Sequence, residues 1–197
     1  MRTIIFVDGA VGVGKSTFVK ILAETFKSTL RIKNGEKIST LHRFNVDVLP
    51  EPLHRNWTRS IINKLGGYDD LLKFLLVRKT VAIEKWSFDI ASDGLQELED
   101  NVLIVERSIE GDRRVSEGYT NFMEELDVKY TGENVHYVFV QGQNQDFLDN
   151  PEQARLTVFY NNKCLINHKN VHRVTRPLYI SNYHIEAAEI VKKVLSI

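Results

Sequence analysis

Residues 3–17 read TIIFVDGAVGVGKST, and this stretch decides the fold. Residues 3–7 are a short run of β-branched and aromatic side chains, which is typical of a buried parallel strand. Residues 9–16 then match the pattern G-x-x-x-x-G-K-[ST], a glycine-rich loop whose backbone N–H groups face an anion. Apolar residues at helical spacing follow the loop. The stretch therefore predicts a strand, a phosphate loop and a helix, and with them a site for a nucleoside triphosphate.

The phosphate loop has a predicted role for each of its parts. We expect the nucleotide phosphates to be held by Gly9, Ala10, Val11, Gly12, Val13, Gly14, Lys15, Ser16 and Thr17. The Lys15 ammonium can reach the β- and γ-phosphates, and the Ser16 hydroxyl is a ligand suited to Mg²⁺.

The composition indicates one globular domain over residues 1–197. Hydrophobic residues make up 43% of the chain, and Lys+Arg and Asp+Glu are both 26, so no basic excess favours a polynucleotide partner. The single cysteine, Cys164, excludes an internal disulfide and fits a reducing compartment. Because no stretch resembles a signal peptide or a membrane span, we expect a cytoplasmic protein without a membrane partner.

Strands and helices alternate along the rest of the chain. Further strands are predicted at residues 46–49, 102–105, 135–140 and 171–174. Helices are predicted at residues 53–65, 68–91, 108–126, 151–165 and 182–195, and residues 28–37 are interpreted as a polar connection. This alternation predicts an α/β fold, a P-loop three-layer α/β/α sandwich around a five-stranded parallel sheet.

Groups suited to phosphoryl transfer follow several of the predicted strands, at the edge where such sheets bind ligands. Glu51 and then Trp57 follow the second strand, and Glu106-Arg107-Ser108 follows the third. Taken singly, Glu51 could meet a helix dipole, Trp57 could be a core residue, and Glu106 and Arg107 could form a structural ion pair. Together, and beside a phosphate loop, they favour a kinase.

At these residues the chain resembles the deoxynucleoside kinase family, which includes deoxycytidine and deoxyguanosine kinases and viral thymidine kinases. The resemblance is carried by the phosphate loop, by Pro50-Glu51-Pro52 with Trp57, and by Glu106-Arg107-Ser108 with Asp112-Arg113. It implies transfer of the γ-phosphate of ATP to the 5′-hydroxyl of a deoxynucleoside, with Mg²⁺. It also implies a small-molecule nucleoside partner and a homodimer.

The resemblance implies a role for each matched residue near the reacting groups. Glu51 would be the general base for the sugar 5′-hydroxyl. Arg107 would contact the 5′-oxygen and the phosphate, and Lys15 would add positive charge to the transferring group. The predicted Mg²⁺ ligands are Ser16 and Glu106.

The resemblance also places residues around the acceptor. Trp57 would border the base pocket, Tyr68 would reach the sugar 3′-hydroxyl, and Asp112 matches a position that contacts the base. The family's base-reading pair on the long helix is absent, and its place falls near Arg78 and Lys79. Such charges are by default solvated. An Arg78 that faces the pocket would favour a carbonyl acceptor on guanine or cytosine.

The segment after the fourth strand departs most from the family, which has an arginine-rich lid there. Residues 142–165 form a shortened lid in which Arg155 is the only arginine. Two alternatives therefore stay open. One is a thymidylate-type nucleoside monophosphate kinase, whose clamp for the acceptor phosphate would draw on Arg43, Arg55 and Arg59. The other is a nucleotide-binding regulatory protein with weak catalysis.

Overall fold

The structure is a computed structural model that describes residues 2–34, 39–51, 63–64, 66–92, 100–108, 134–166, 170–176 and 181–195. The strands are β1 (Arg2–Asp8), β2 (Leu30–Asn34), β3 (Ser39–Leu49), β4 (Asp100–Glu106), β5 (Val135–Gln141) and β6 (Val171–Thr175). The helices are α1 (Lys15–Ser28), α2 (Tyr68–Ser92), α3 (Gln145–Leu148), α4 (Pro151–Ile166) and α5 (Ser181–Leu195).

The strands form one sheet in the order β2-β3-β4-β1-β5-β6. Strands β3, β4, β1, β5 and β6 are mutually parallel, so the predicted five-stranded parallel sheet is confirmed. In the register, Leu49 of β3 lies beside Val105 of β4, and Val7 of β1 lies beside Glu106. The carboxyl ends of these three neighbouring strands therefore lie at the same edge of the sheet.

One strand was not foreseen. The prediction of a connection over residues 28–37 was wrong, because β2 lies there and pairs antiparallel with β3, which begins at Ser39 and not at residue 46. Residues 30–33 alternate apolar and charged side chains, the pattern of an antiparallel strand with one solvated face. Leu30, the first residue of the strand, is 51% exposed.

The remaining predicted elements agree closely where they are described. Helices α2, α4 and α5 and strands β4 to β6 begin and end within two residues of the predicted bounds. The predicted helix over residues 108–126 falls almost wholly outside the described residues, as does most of the one over residues 53–65. None of the helices in the described ranges has the length and apolar character needed to cross a bilayer.

Alternate side chains of β1 pack into two cores, one on each face of the sheet. Ile5 and Val7 face one core, which is closed by α1 and α5 through Phe18, Leu22, Phe26, Ile190 and Val191. Phe6 faces the other, which is closed by α2 and α4 through Ile83, Leu156 and Tyr160. Burying each large side chain is worth roughly 1.5–3 kcal/mol. The two cores make the three layers that the sequence predicted.

Two buried histidines meet near the starts of β5 and β6. His136 Nδ1 lies 3.2 Å from His172 Nε2, so one nitrogen donates and the other accepts, and the rings are stacked. Burial is the main reason that the pKa of both imidazoles falls to about 4, and the charges of His136 and Lys193 contribute to the shift of His172. If the pair took up a further proton, both facing nitrogens would carry a hydrogen, and the hydrogen bond between them would be lost.

We expect this pair to make the fold less stable as the pH falls from 6.5 towards 4. The folded-state pKa values lie below the ordinary value of 6.5, so the unfolded chain takes up protons first. At pH 5.5 the loss of unfolding free energy should be on the order of 1 kcal/mol for each histidine. Urea unfolding at pH 7.5 and 5.5 measures it.

The double variant His136→Leu/His172→Leu should show a much smaller pH dependence than the parent protein. His184→Gln is the matched control, because His184 is exposed on α5 and should leave the dependence unchanged. Equal pH dependence in the parent and the double variant would show that the buried pair does not control acid stability.

Candidate active site

The phosphate loop turns through two glycines in left-handed backbone conformations. Gly12 has φ +79° and Gly14 has φ +100°, values that residues other than glycine rarely adopt. A Cβ added at Gly12 would meet no atom within 4 Å, whereas one at Gly14 would lie 2.9 Å from the Tyr183 hydroxyl. The Phe18 N–H bonds to Gly14 O at 3.0 Å, so α1 begins at the loop and directs its N-terminus towards it.

Lys15 and Ser16 both face the ends of the neighbouring strands. Lys15 Nζ donates to Ala10 O at 3.1 Å and lies 4.0 Å from Glu51 Oε2. Burial and the nearby Arg107 lower the pKa of Lys15, and the carboxylates around it oppose this shift. Ser16 Oγ donates to Glu106 Oε1 at 2.5 Å. The predicted loop residues and the predicted strand-end residues are therefore in contact.

The pair formed by Ser16 and Glu106 fits a magnesium ion. Both offer hard oxygen ligands, and Mg²⁺ bound with nucleotides usually takes one or two protein ligands and completes its shell with phosphate oxygens and water. Within the described ranges, no group of three or more His, Cys, Asp or Glu side chains could hold a metal by itself. The chemistry of this donor set thus suits a nucleotide-bound cation.

Arg107 is fully buried directly after β4, in a strained backbone conformation. Its φ is +67°, and such a conformation costs on the order of 1 kcal/mol or more in a residue other than glycine. Its N–H donates to Val7 O at 2.8 Å, and Lys79 Nζ donates to its carbonyl at 3.1 Å. Contacts from β1 and α2 thus hold the strained residue in place.

The Arg107 guanidinium lies between two carboxylates. Nε donates to Glu51 Oε1 at 2.7 Å, and Nη1 donates to Glu152 Oε1 at 2.6 Å. The Glu51 N–H in turn donates to Glu106 Oε2 at 3.3 Å. The structure therefore brings together the predicted set of Lys15, Glu51, Glu106 and Arg107, and it adds one carboxylate.

That carboxylate, Glu152, is a site residue that the sequence analysis missed. Its Oε2 accepts the Val11 N–H of the phosphate loop at 2.9 Å. Burial alone would raise the pKa of Glu152, but the bonds from Arg107 and Val11 and the charge of Lys15 lower it. In sequence, a glutamate in the first turn of a helix reads as an ordinary partner of the helix dipole, which hides this contact.

A second missed group supports the turn that carries Arg107. Asp8, the last residue of β1, accepts the Ser108 N–H at 2.8 Å through Oδ1 and the Tyr160 hydroxyl through Oδ2. Burial and the Asp8 charge raise the pKa of Tyr160, which therefore remains a donor at neutral pH. This bond ties α4 to the base of the phosphate loop.

The far side of the loop contacts the end of β6 and α5. Arg176 Nη1 donates to Gly12 O at 3.2 Å, and its guanidinium lies 5.2 Å from the centre of the Phe147 ring. The Tyr183 hydroxyl donates to Val13 O at 3.2 Å. Arg176 directly follows β6, so the strand-end rule that points to Glu51 and Arg107 could have identified it.

A cavity of about 250 Å³ opens between the end of β3 and α2. Its lining residues are Leu49, Pro50, Leu75, Arg78, Lys79 and Ala82. Arg78 therefore borders this cavity together with Pro50, which precedes Glu51, and its guanidinium lies 5.8 Å from the centre of the Phe74 ring. This position suits an acceptor pocket.

The other predicted acceptor and lid residues are placed only in part. Trp57 and Asp112 lie outside the described residues. Tyr68 begins α2, but its side chain is also outside them. Arg155 is half-buried in α4, three residues after Glu152. The predicted lid segment includes this helix, which packs in the core through Leu156 and Tyr160.

We expect Lys15→Ala to lower the rate of ATP-dependent phosphoryl transfer roughly 10²–10³-fold, because it removes a preorganised charge from the loop. Initial rates of ADP formation measure the effect. Lys20→Ala is the matched control, since Lys20 is exposed on α1. A Lys15→Ala protein that keeps the parent rate would mean that the loop is not where phosphate is transferred.

Comparison with known proteins shows the fold of this chain. No family model matches the sequence, and no curated protein matches it. The thymidylate kinase from Ehrlichia chaffeensis is similar in structure, with a TM-score of 0.58, 20% identity and coverage of 100% of this chain and 99% of that one. The thymidylate kinase from Candida albicans gives a TM-score of 0.54 and 13% identity, over 97% and 91% of the two chains. The chain thus has the P-loop nucleotide kinase fold over its whole length.

Proposed function

We propose that this protein is an ATP-dependent phosphotransferase of the thymidylate kinase type, which phosphorylates a nucleoside monophosphate. One observation carries the proposal. Lys15 of the phosphate loop lies 4.0 Å from Glu51 Oε2, and Glu51 Oε1 in turn pairs with Arg107 Nε at 2.7 Å. The chain-long likeness to two thymidylate kinases supports the choice of a monophosphate as the acceptor. The sequence pattern by itself favoured a deoxynucleoside as the phosphate acceptor, with a nucleoside monophosphate as the alternative.

The donor side of the site would hold the ATP phosphates. The loop N–H groups and the N-terminus of α1 would bind them, and Lys15 would compensate the charge of the group in transfer. When bound, Mg²⁺ at Ser16 and Glu106 would supply further positive charge to the donor phosphates. Lys15 would then exchange its bond to Ala10 O for a phosphate oxygen.

The acceptor would lie in the cavity lined by Pro50, which precedes Glu51, and by Lys79, which bonds the Arg107 carbonyl. An oxygen of the acceptor forms the new bond to the γ-phosphorus while the bond to the β–γ bridging oxygen breaks, which releases ADP. A monophosphate has a second pKa near 6, so its attacking oxygen is already ionised at neutral pH and needs no base. Arg107 would supply the positive charge that brings two anions together.

A deoxynucleoside 5′-kinase is the second candidate, and one observation favours it. Arg107 is already paired with Glu51 and Glu152, so two carboxylates offset its charge before an acceptor binds. A neutral hydroxyl acceptor tolerates such surroundings better than a phosphate does. A hydroxyl must lose its proton during transfer, and Glu51 is placed to accept it.

The acceptor is identified by incubating the protein with ATP and Mg²⁺ together with each deoxynucleoside or each deoxynucleoside monophosphate. We expect ADP to form with at least one monophosphate and not with nucleosides alone. ADP with nucleosides alone would support the second candidate. ATP binding without transfer to either class would support the regulatory interpretation.

Glu51→Gln distinguishes the two chemistries by pH dependence. If the acceptor is a hydroxyl, loss of the base should lower kcat roughly 10²–10⁴-fold and remove the acidic limb of the kcat/KM profile. For a monophosphate acceptor we expect a smaller loss and an acidic limb near pH 6 that persists, because it reports the acceptor itself. Glu189→Gln on the exposed face of α5 is the charge-matched control.

A further inference from the structure

Glu152 binds the phosphate loop as a phosphate would. One of its oxygens accepts a backbone N–H of the loop, that of Val11, at 2.9 Å, and the other accepts from Arg107 at 2.6 Å. Backbone N–H groups of such a loop and a buried guanidinium are the two kinds of donor that select phosphate oxygens. The carboxylate thus occupies an anion position inside the site.

The backbone that carries Glu152 is anchored. Its N–H donates to Asn150 Oδ1 at 2.9 Å, which caps the start of α4. The buried Gln153 side chain bonds the end of β5 in both directions, accepting the Gly142 N–H at 2.8 Å and donating to Gly142 O at 3.0 Å. Displacement of the carboxylate would therefore be a side-chain rotation rather than a movement of the helix.

We propose that Glu152 is a positioning residue that holds Arg107 and the Val11 N–H in the nucleotide-free protein and is displaced from the loop by the terminal phosphate of the nucleotide. The proposal rests on the proposed phosphotransferase function. The Arg107 side chain would then have two states. In the first state it is paired with Glu51 and Glu152. In the second it keeps Glu51 and turns its Nη1 side to phosphate.

The charges of the site favour this exchange. In the described cluster, Lys15 and Arg107 face three carboxylates, those of Glu51, Glu106 and Glu152. A triphosphate that entered beside all three would add like charge at short range. Rotation of Glu152, which is 21% exposed, moves one carboxylate towards water and leaves its donors to the ligand.

The test is Glu152→Gln, with the affinity for ATP and Mg²⁺ measured by calorimetry. An internal competitor that fills the position about nine-tenths of the time weakens binding roughly tenfold, so the variant should bind about tenfold more tightly. Inorganic tripolyphosphate should show the same gain, because the competition is for phosphate and not for the base.

Tighter binding of both ATP and tripolyphosphate is a result that simple loss of stability does not produce. Glu24→Gln is the control, because it removes the same charge from an exposed position on α1 and should leave both quantities unchanged. Unchanged or weaker binding of ATP by Glu152→Gln, or a gain absent with tripolyphosphate, would overturn the proposal. Tighter binding in a protein that phosphorylates no acceptor would keep this inference and reject the proposed function.

Discussion

The site depends on one buried cation, the guanidinium of Arg107. It is fully buried, and it joins the end of β3 through Glu51 to the start of α4 through Glu152. A buried charge of this kind persists only when it is paired, and removing one partner of such a pair typically costs about 3–5 kcal/mol. The arginine therefore has a structural role, since it holds together two carboxylates that would otherwise repel each other.

Contacts from neighbouring strands and helices hold the strained backbone at Arg107 in place. A left-handed conformation in a residue other than glycine persists where the surroundings over-determine it. Here the Val7 carbonyl, the Lys79 ammonium and the Asp8–Ser108 bond all act on the same turn. The sheet order makes this possible, because β4 lies between β3 and β1 and ends beside the phosphate loop.

Much of this arrangement could be predicted from the sequence. The loop pattern and the unbroken apolar strands indicate the parallel sheet, and strand ends in such a sheet share one edge, which groups Lys15, Glu51, Glu106 and Arg107. Asp8 ends β1 at the same edge and could have been found in this way, whereas Glu152 and Tyr160 could not. Glu152 and Tyr160 lie on α4, far along the chain from the loop, and only packing shows that α4 contacts it. Strand β2 was missed for another reason, since its charged residues and the Asn34-Gly35 turn signal are typical of a polar connection.

The proposed phosphoryl transfer requires the phosphate loop and Arg107 to act on the same transferring group. A crystal structure of the protein grown with ADP, Mg²⁺ and aluminium fluoride tests it most directly, because the fluoride complex imitates a phosphoryl group in transfer. We expect the fluoride complex to lie within hydrogen-bond reach of both Lys15 Nζ and the Arg107 guanidinium, with Glu152 rotated away from the Val11 N–H. A fluoride complex bound in the loop while Arg107 keeps both carboxylate partners would contradict it.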